Sequence, residues 1–375
     1  MRAAAALSLA LLATAAPARA VDDGPLGVRT PGVFRDLFLD MPLADARGMR
    51  GVRGAPAEVR LDVRWWFAND WSVPTRLARG DAVVWVQQDA QTDALELAAT
   101  VPWSRLGEAP WLARWQTTAG LRLLTRWGGW SDGMIEDWHD AIGSWNFQRE
   151  LYPRNAVHLR LAEEGGRTLA DLRGSGTTLS DLALRTSGRL LAGAPRDDGA
   201  LPWAVALRVD LELPTGRRGA LGGSGGLDAG LGVAATAAPL RWLTLHGQGA
   251  LRLVPPLSRG FALRPRTVQW GVDLSVVVRL SDRVALVAED RLSSPLFRGG
   301  WSLPADTKEP EATAYYALFR PQNQISGGVR VGEVTVFFSE DFTPGRRLGA
   351  DPGPRWFYNS NAPDFVFGIS WARTR

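Results

Sequence analysis

The sequence predicts an all-β, antiparallel transmembrane β-barrel of about twelve strands, within a range of ten to fourteen, with long extracellular loops. Three observations carry this expectation. Long segments alternate apolar and polar side chains with period two, as a strand must when one face meets lipid and the other a lumen. These segments run about 9 to 13 residues, the length of a tilted membrane strand; soluble strands are usually about 5 to 6. Tryptophan is over-used, with 17 Trp against 13 Phe and 4 Tyr, and indoles gather where apolar and polar phases meet. A soluble β-sandwich also alternates, but its strands are shorter.

In chain order, Met1 and Arg2, the apolar run Ala3 to Ala16 and the small-x-small run Ala18-Arg19-Ala20 read as a secretory signal, residues 1–20, cleaved near Ala20. Export of a barrel implies the outer membrane of a Gram-negative bacterium. Residues 21–57, rich in Gly, Pro and Arg, read as a periplasmic arm or an inward-folded plug, and 58–375 as the barrel. Strands are expected at 58–68, 81–101, 116–127, 178–192, 201–214, 225–237, 241–253, 266–280, 283–292, 323–331, 333–342 and 363–373. The short stretch 154–162 and a break of 81–101 at Asp89 to Gln91 would raise the count to fourteen.

The alternation is plainest at 203–213, where Trp203, Val205, Leu207, Val209, Leu211 and Leu213 share one face and Ala204, Ala206, Arg208, Asp210 and Glu212 the other. At 268–280 the apolar Val268, Trp270, Val272, Leu274, Val276, Val278 and Leu280 alternate with Gln269, Gly271, Asp273, Ser275, Val277 and Arg279. Reading back from the C-terminus, short and long connections alternate, which places the short turns in the periplasm and the long loops outside.

Composition excludes several functions. Cysteine is absent, so there is no disulfide framework, thiolate metal site or cysteine nucleophile. The formal net charge is only +4, and Lys308 is the single lysine, so nucleic acid is not an expected partner. The expected partners are outer-membrane lipid and lipopolysaccharide, the barrel-assembly machinery and a small-molecule solute. No cofactor and no metal site are expected.

The densest motif is Gly128-Gly129-Trp130-Ser131-Asp132-Gly133-Met134-Ile135-Glu136-Asp137-Trp138-His139-Asp140. Its glycines permit tight turns, and a short helix opening near Asp132 would put Glu136 and His139 on one face. Gly128, Gly129, Asp132, Gly133, Glu136 and His139 are therefore candidates for a gate or constriction. Glu136 with His139 is alternatively an acid–base pair of an outer-membrane enzyme, or the segment is a capped helix packed on the barrel. Position discriminates: inside the lumen favours transport, at the lipid-facing rim favours an enzyme, and away from both favours structure. Inward charges along the strands, Arg208, Asp210, Glu212, Arg252, Asp273 and Arg279, together with His246, line a pore or close it by pairing. No catalytic residue is assigned. Leu213-Pro214-Thr215-Gly216 ends a strand and opens an outer connection, Gly216 to Gly226, expected to be mobile.

The segment resembles one shared by a family of bacterial outer-membrane barrels known only as a domain of unknown function. The likeness rests on Gly128, Gly129, Asp132, Gly133, Ile135, Glu136, His139 and Asp140. It continues in Leu213, Pro214, Thr215 and Gly216, followed by Gly223, Ser224, Gly225 and Asp228, then in Glu340 and Asp341, and in Pro363, Asp364 and Phe365. Trp130, Ser131 and the run Gly143-Ser144-Trp145 depart from the pattern. The resemblance implies a barrel in the outer membrane and no established activity. The expected function is a channel or binding protein for a small solute of hydrophobic character, with the enzyme and a purely structural closed barrel as alternatives.

Overall fold

The computed structural model describes residues 22–29, 32, 34–48, 58–142, 153–197, 199–258, 260–303, 315, 318–341 and 365–374. The strands are β1 (Arg60–Arg79), β2 (Ala82–Pro102), β3 (Trp115–Trp127), β4 (Leu159–Glu163), β5 (Thr168–Leu172), β6 (Gly176–Leu179), β7 (Leu182–Ala192), β8 (Trp203–Leu213), β9 (Asp228–Leu240), β10 (Leu243–Leu253), β11 (Val268–Arg279), β12 (Val284–Ser293), β13 (Gln322–Val331), β14 (Val334–Asp341) and β15 (Phe365–Thr374); an α-helix, α1, spans Asp132–Ile142. The expected signal peptide and all of 343–362 lie outside the described residues.

Among the described residues twelve strands close on themselves. Neighbour pairs run β1–β2–β3–β7 and onward to β15, and β15 pairs antiparallel with β1, from Arg60 opposite Thr374 to Asn69 opposite Phe365. Closure satisfies every backbone edge, which a membrane-embedded sheet requires. The short turns Arg241-Trp242 and Gly332-Glu333 lie at the end that holds both barrel termini, together with the longer links 103–114 and 193–202, and the other long connections lie at the opposite end, together with the tight Gly80-Asp81 turn. We call these the periplasmic and extracellular ends.

The outer face carries an apolar band. Leu97, Leu231, Leu251, Val272, Leu274, Val276 and Val329 are exposed on it, while their strand neighbours Arg252, Asp273 and Ser275 are buried inside. This is the alternation expected at 203–213 and 268–280, and it gives the lipid face of a transmembrane barrel.

Three local expectations change. The first strand continues beyond 68 to Arg79, pairing with β2 past an irregularity between Ser72 and Thr75, where Pro74 cannot donate to the ladder. The apolar–polar pattern stops at Asn69 because the hairpin leaves the lipid zone there, whereas the backbone pairing does not. The 154–162 stretch is no barrel stave: β4 and β5 flank the upper part of β2, and β2 itself is unbroken at Asp89 to Gln91. The Gly216–Gly226 connection is not a free loop. Asp181 accepts the backbone N–H groups of Gly216 (2.6 Å) and Ser224 (3.1 Å), and a Cβ on Gly223 would stand 2.0 Å from its carboxylate.

Candidate functional site

The lumen is occupied by the chain itself. The described residues of 22–48 run from the periplasmic end to the extracellular end and back. Asp22 meets Arg60 (2.9 Å), and Arg279 and His246 meet Asp23 near the periplasmic mouth. At the top, the turn around Phe34–Phe38 sits among the extracellular ends, where Asp36 pairs with Arg122 (2.5 Å) and Arg126 (3.3 Å) of β3. On the way down, the Ala46 N–H donates to Thr236 (2.9 Å) and Arg189 donates to the carbonyl of Arg47 (3.0 Å), back at the periplasmic side.

Most wall contacts with this inner hairpin run from a wall side chain to hairpin backbone. Arg64 donates to the carbonyls of Leu26 and Gly27 (both 2.8 Å), Arg252 to that of Leu39 (3.0 Å), and Arg291 to that of Met41 (2.9 Å). Arg208 donates to the Pro42 carbonyl, Gln248 to Met41 (2.9 Å), and Arg330 to Gly24 (2.9 Å). In the opposite sense, Glu289 accepts the N–H groups of Gly27 (3.0 Å) and Val28 (3.2 Å), and Asp228 accepts that of Leu39 (2.8 Å). An irregular backbone inside a barrel needs such partners, since its N–H and C=O groups have no ladder of their own.

The candidate luminal residues therefore come together around the hairpin. Arg208 is held bidentately by Asp210 (3.0 and 2.6 Å), and Asp273 accepts from Gln248 (3.1 Å) and pairs with Arg291 (2.9 Å). Glu212 is buried beside them on β8. His246 points its Nε2 at the Asp23 carbonyl (2.9 Å) and its Nδ1 at the Thr236 hydroxyl (3.0 Å). A carbonyl only accepts, so Nε2 carries a proton. Arg252 and Arg279 mark the upper and lower ends of this polar column.

Above the hairpin the extracellular connections form an apolar cap. Phe34, Leu37 and Phe38 at the hairpin apex pack with Leu77, Val86, Leu161, Phe261, Phe297 and Phe319 from the β1–β2 hairpin, β4 and two outer loops. Phe38 meets Phe297 edge-on at 6.0 Å between ring centroids. The apex thus has an apolar upper contact and a polar lower one.

The Gly128–Glu136 segment lies elsewhere. On β1 the residues Leu61, Val63, Trp65, Phe67 and Asn69 face outward, and the segment packs over the last two of them. Asn69 donates to Ser131 and Asp132 (both 2.9 Å), and Trp130 lies 5.4 Å from Phe67. Trp138 meets Phe338 of β14 edge-on at 6.0 Å. Helix α1 thus straps across the outer rim from β1 to β14, over the strand that closes the barrel. Gly128 has no room for a side chain, since a Cβ would stand 1.8 Å from the Asn155 carbonyl oxygen; Gly129 takes a positive φ of 71°, and Gly133 lies in the first turn of α1. The Asp132 carboxylate also accepts the Asn155 N–H (2.5 Å), and Arg154 pairs with Glu136. The side chain of His139 lies outside the described residues. These residues do not constrict the lumen, and the two carboxylates brace the strap.

The hairpin residues Arg29, Arg35, Asp36, Asp40 and Arg47, all buried, were not among the sequence candidates. Their signal was present: Phe34, Leu37, Phe38, Leu39 and Met41 are too apolar for a linker in water, and acids and arginines are interleaved with them.

No family model matches the chain, and no curated protein matches it. Among solved structures it is similar to an outer membrane channel from Pseudomonas putida F1 at 12% identity, covering 86% of this chain and 97% of that one, with a TM-score of 0.45. It is similar to the transport unit of the autotransporter AIDA-I from Escherichia coli at 7% identity, covering 87% and 93%, with a TM-score of 0.36. A Pseudomonas aeruginosa FadL homologue matches at 8% identity over 84% and 89% of the two chains, with a TM-score of 0.35.

Proposed function

We propose that this protein is an outer-membrane channel for a small solute of apolar character, shut in this state by its own inner hairpin. The Gly128–Asp140 segment sits at the outer rim, the position expected of an enzyme, but there Asn69 and Asn155 engage Asp132 and Arg154 engages Glu136, so the segment braces the wall. The observation that supports the channel is the hairpin's mode of attachment. Eight strands give a barrel that side chains can fill, and larger barrels leave a lumen; here twelve strands enclose a stretch of main chain. Wall arginines hold much of it through backbone carbonyls, bonds that water can replace, while the ion pairs of Asp36 and Asp40 with wall arginines are the costly contacts to break. Its apex packs into a buried apolar cap built by the outer connections, which an apolar solute arriving from outside would have to part.

Planar-bilayer conductance tests this reading. Wild-type protein is expected to conduct rarely. Glu289→Ala, which frees the N–H groups of Gly27 and Val28, is expected to open more often. Equal silence of both proteins would favour a purely structural barrel.

A further inference from the structure

The hairpin apex carries a feature that closing the pore does not require. Arg35 is 7% exposed, and among the described residues neither its Nε nor its Nη2 has a hydrogen-bond acceptor. Charges nearby are mixed: Arg252 and Arg291 repel it, and Asp40 and Asp341 attract it without bonding those two nitrogens. A buried guanidinium left with idle donors is costly unless something pairs with it.

Its surroundings define what that partner would be. Arg35 follows Phe34 and precedes Leu37 and Phe38, all three in the apolar cap. Beside it, cross-strand register sets Arg252 opposite Gln269 and Ser293 opposite Gln322, an inward polar layer at the extracellular ends of β10 to β13. Gln269 donates to the carbonyl of Leu296, itself a cap residue (3.2 Å), so the polar layer abuts the apolar one. Among the described residues, the Ser293 hydroxyl within this layer and the Trp301 indole N–H within the cap are likewise buried without a hydrogen-bond partner.

We infer that the apex of the inner hairpin is a binding site for an apolar solute bearing one carboxylate, with the carboxylate on the free donors of Arg35 and the apolar body against Phe34, Phe38 and the cap. The planar guanidinium fork matches a carboxylate. This inference deepens the channel reading and rests on it for its physiological sense. It also places solute recognition on the element that closes the pore, so an occupied site and a displaced hairpin become coupled events.

Calorimetry on the full chain in lipid nanodiscs, with empty nanodiscs subtracted, tests it with 4-phenylbutyrate and the neutral 4-phenylbutanol. Wild type is expected to bind the acid at least about tenfold more tightly than the alcohol. Arg35→Gln should weaken the acid about 10- to 100-fold, to the level of the alcohol, the scale of a lost charge-assisted bond. Arg35→Lys should retain part of the preference. Because, among the described residues, Nε and Nη2 of Arg35 are buried without an acceptor, Arg35→Gln should leave the unliganded Tm unchanged or raise it. A wild type without preference, a preference that survives Arg35→Gln, inorganic phosphate competing as well as the acid, or a marked fall in unliganded Tm would each overturn the site. The two proposals separate cleanly. Acid-selective binding with a silent Glu289→Ala channel keeps the site and sinks the channel; conductance without acid preference does the reverse.

Discussion

At the residue scale the molecule depends on a few side chains that each satisfy backbone or charge where water is excluded. Asp36 neutralises two buried arginines, Arg122 and Arg126. Asp36→Asn removes that charge and strands both cations, and breaking a buried pair from one side costs about 3–5 kcal/mol. Thermal unfolding should register this loss, and a change within error would show that the apex is not anchored there. At the rim, Asn69→Ala removes both donors to Ser131 and Asp132, with an expected cost of about 1–3 kcal/mol. Protease cutting within 128–142 should accelerate while the barrel stays intact. The sequence marked the wall residues Arg208, Asp210, His246 and Asp273 because strand parity alone turns them inward. It did not mark Arg35 or Asp36, whose burial comes from a fold-back contact with β3 and the outer loops that no local period encodes.

At the scale of elements, period two was legible wherever lipid enforced it and faded where lipid ended. β8 and β11 match the expected alternation residue by residue. The upper part of β1 reads as loop, since its outward side chains from Asn69 on face protein, including the strap formed by α1. The helix itself was legible from Asp132 and its apolar spacing; its seat outside the wall was not, because amphipathicity says that a face is buried and not against what. Two substitutions separate the faces. Val276, 41% exposed on the outer band, should cost about 2–4 kcal/mol as Val276→Arg if it lies at the midplane, read by reversible unfolding in bilayers. Its neighbour Ser275 faces inward opposite both His246 and Glu289, two residues that hold the hairpin. Ser275→Arg should leave the barrel inserted and heat-modifiable on gels while making residues 22–48 accessible to protease. If the two variants behave alike, the assignment of faces fails.

For the whole molecule, a closed wall, an inner hairpin and an apolar outer cap form one arrangement: the wall supplies donors, the hairpin consumes them, and the apex joins the hairpin to the cap. In the proposed function this hairpin blocks the pore and is removable. Ala46 clusters with the wall alanines Ala204, Ala206 and Ala234, and the chain has no native cysteine, so a hairpin-to-wall cysteine pair at Ala46 and one of these positions would form the only disulfide present. The decisive measurement is single-channel conductance of such a pair in the Glu289→Ala background, cycled between oxidant and reductant in one bilayer. The structure leads us to expect closure on oxidation and reopening on reduction; conductance that ignores a fully formed disulfide would contradict the claim that the hairpin is the gate.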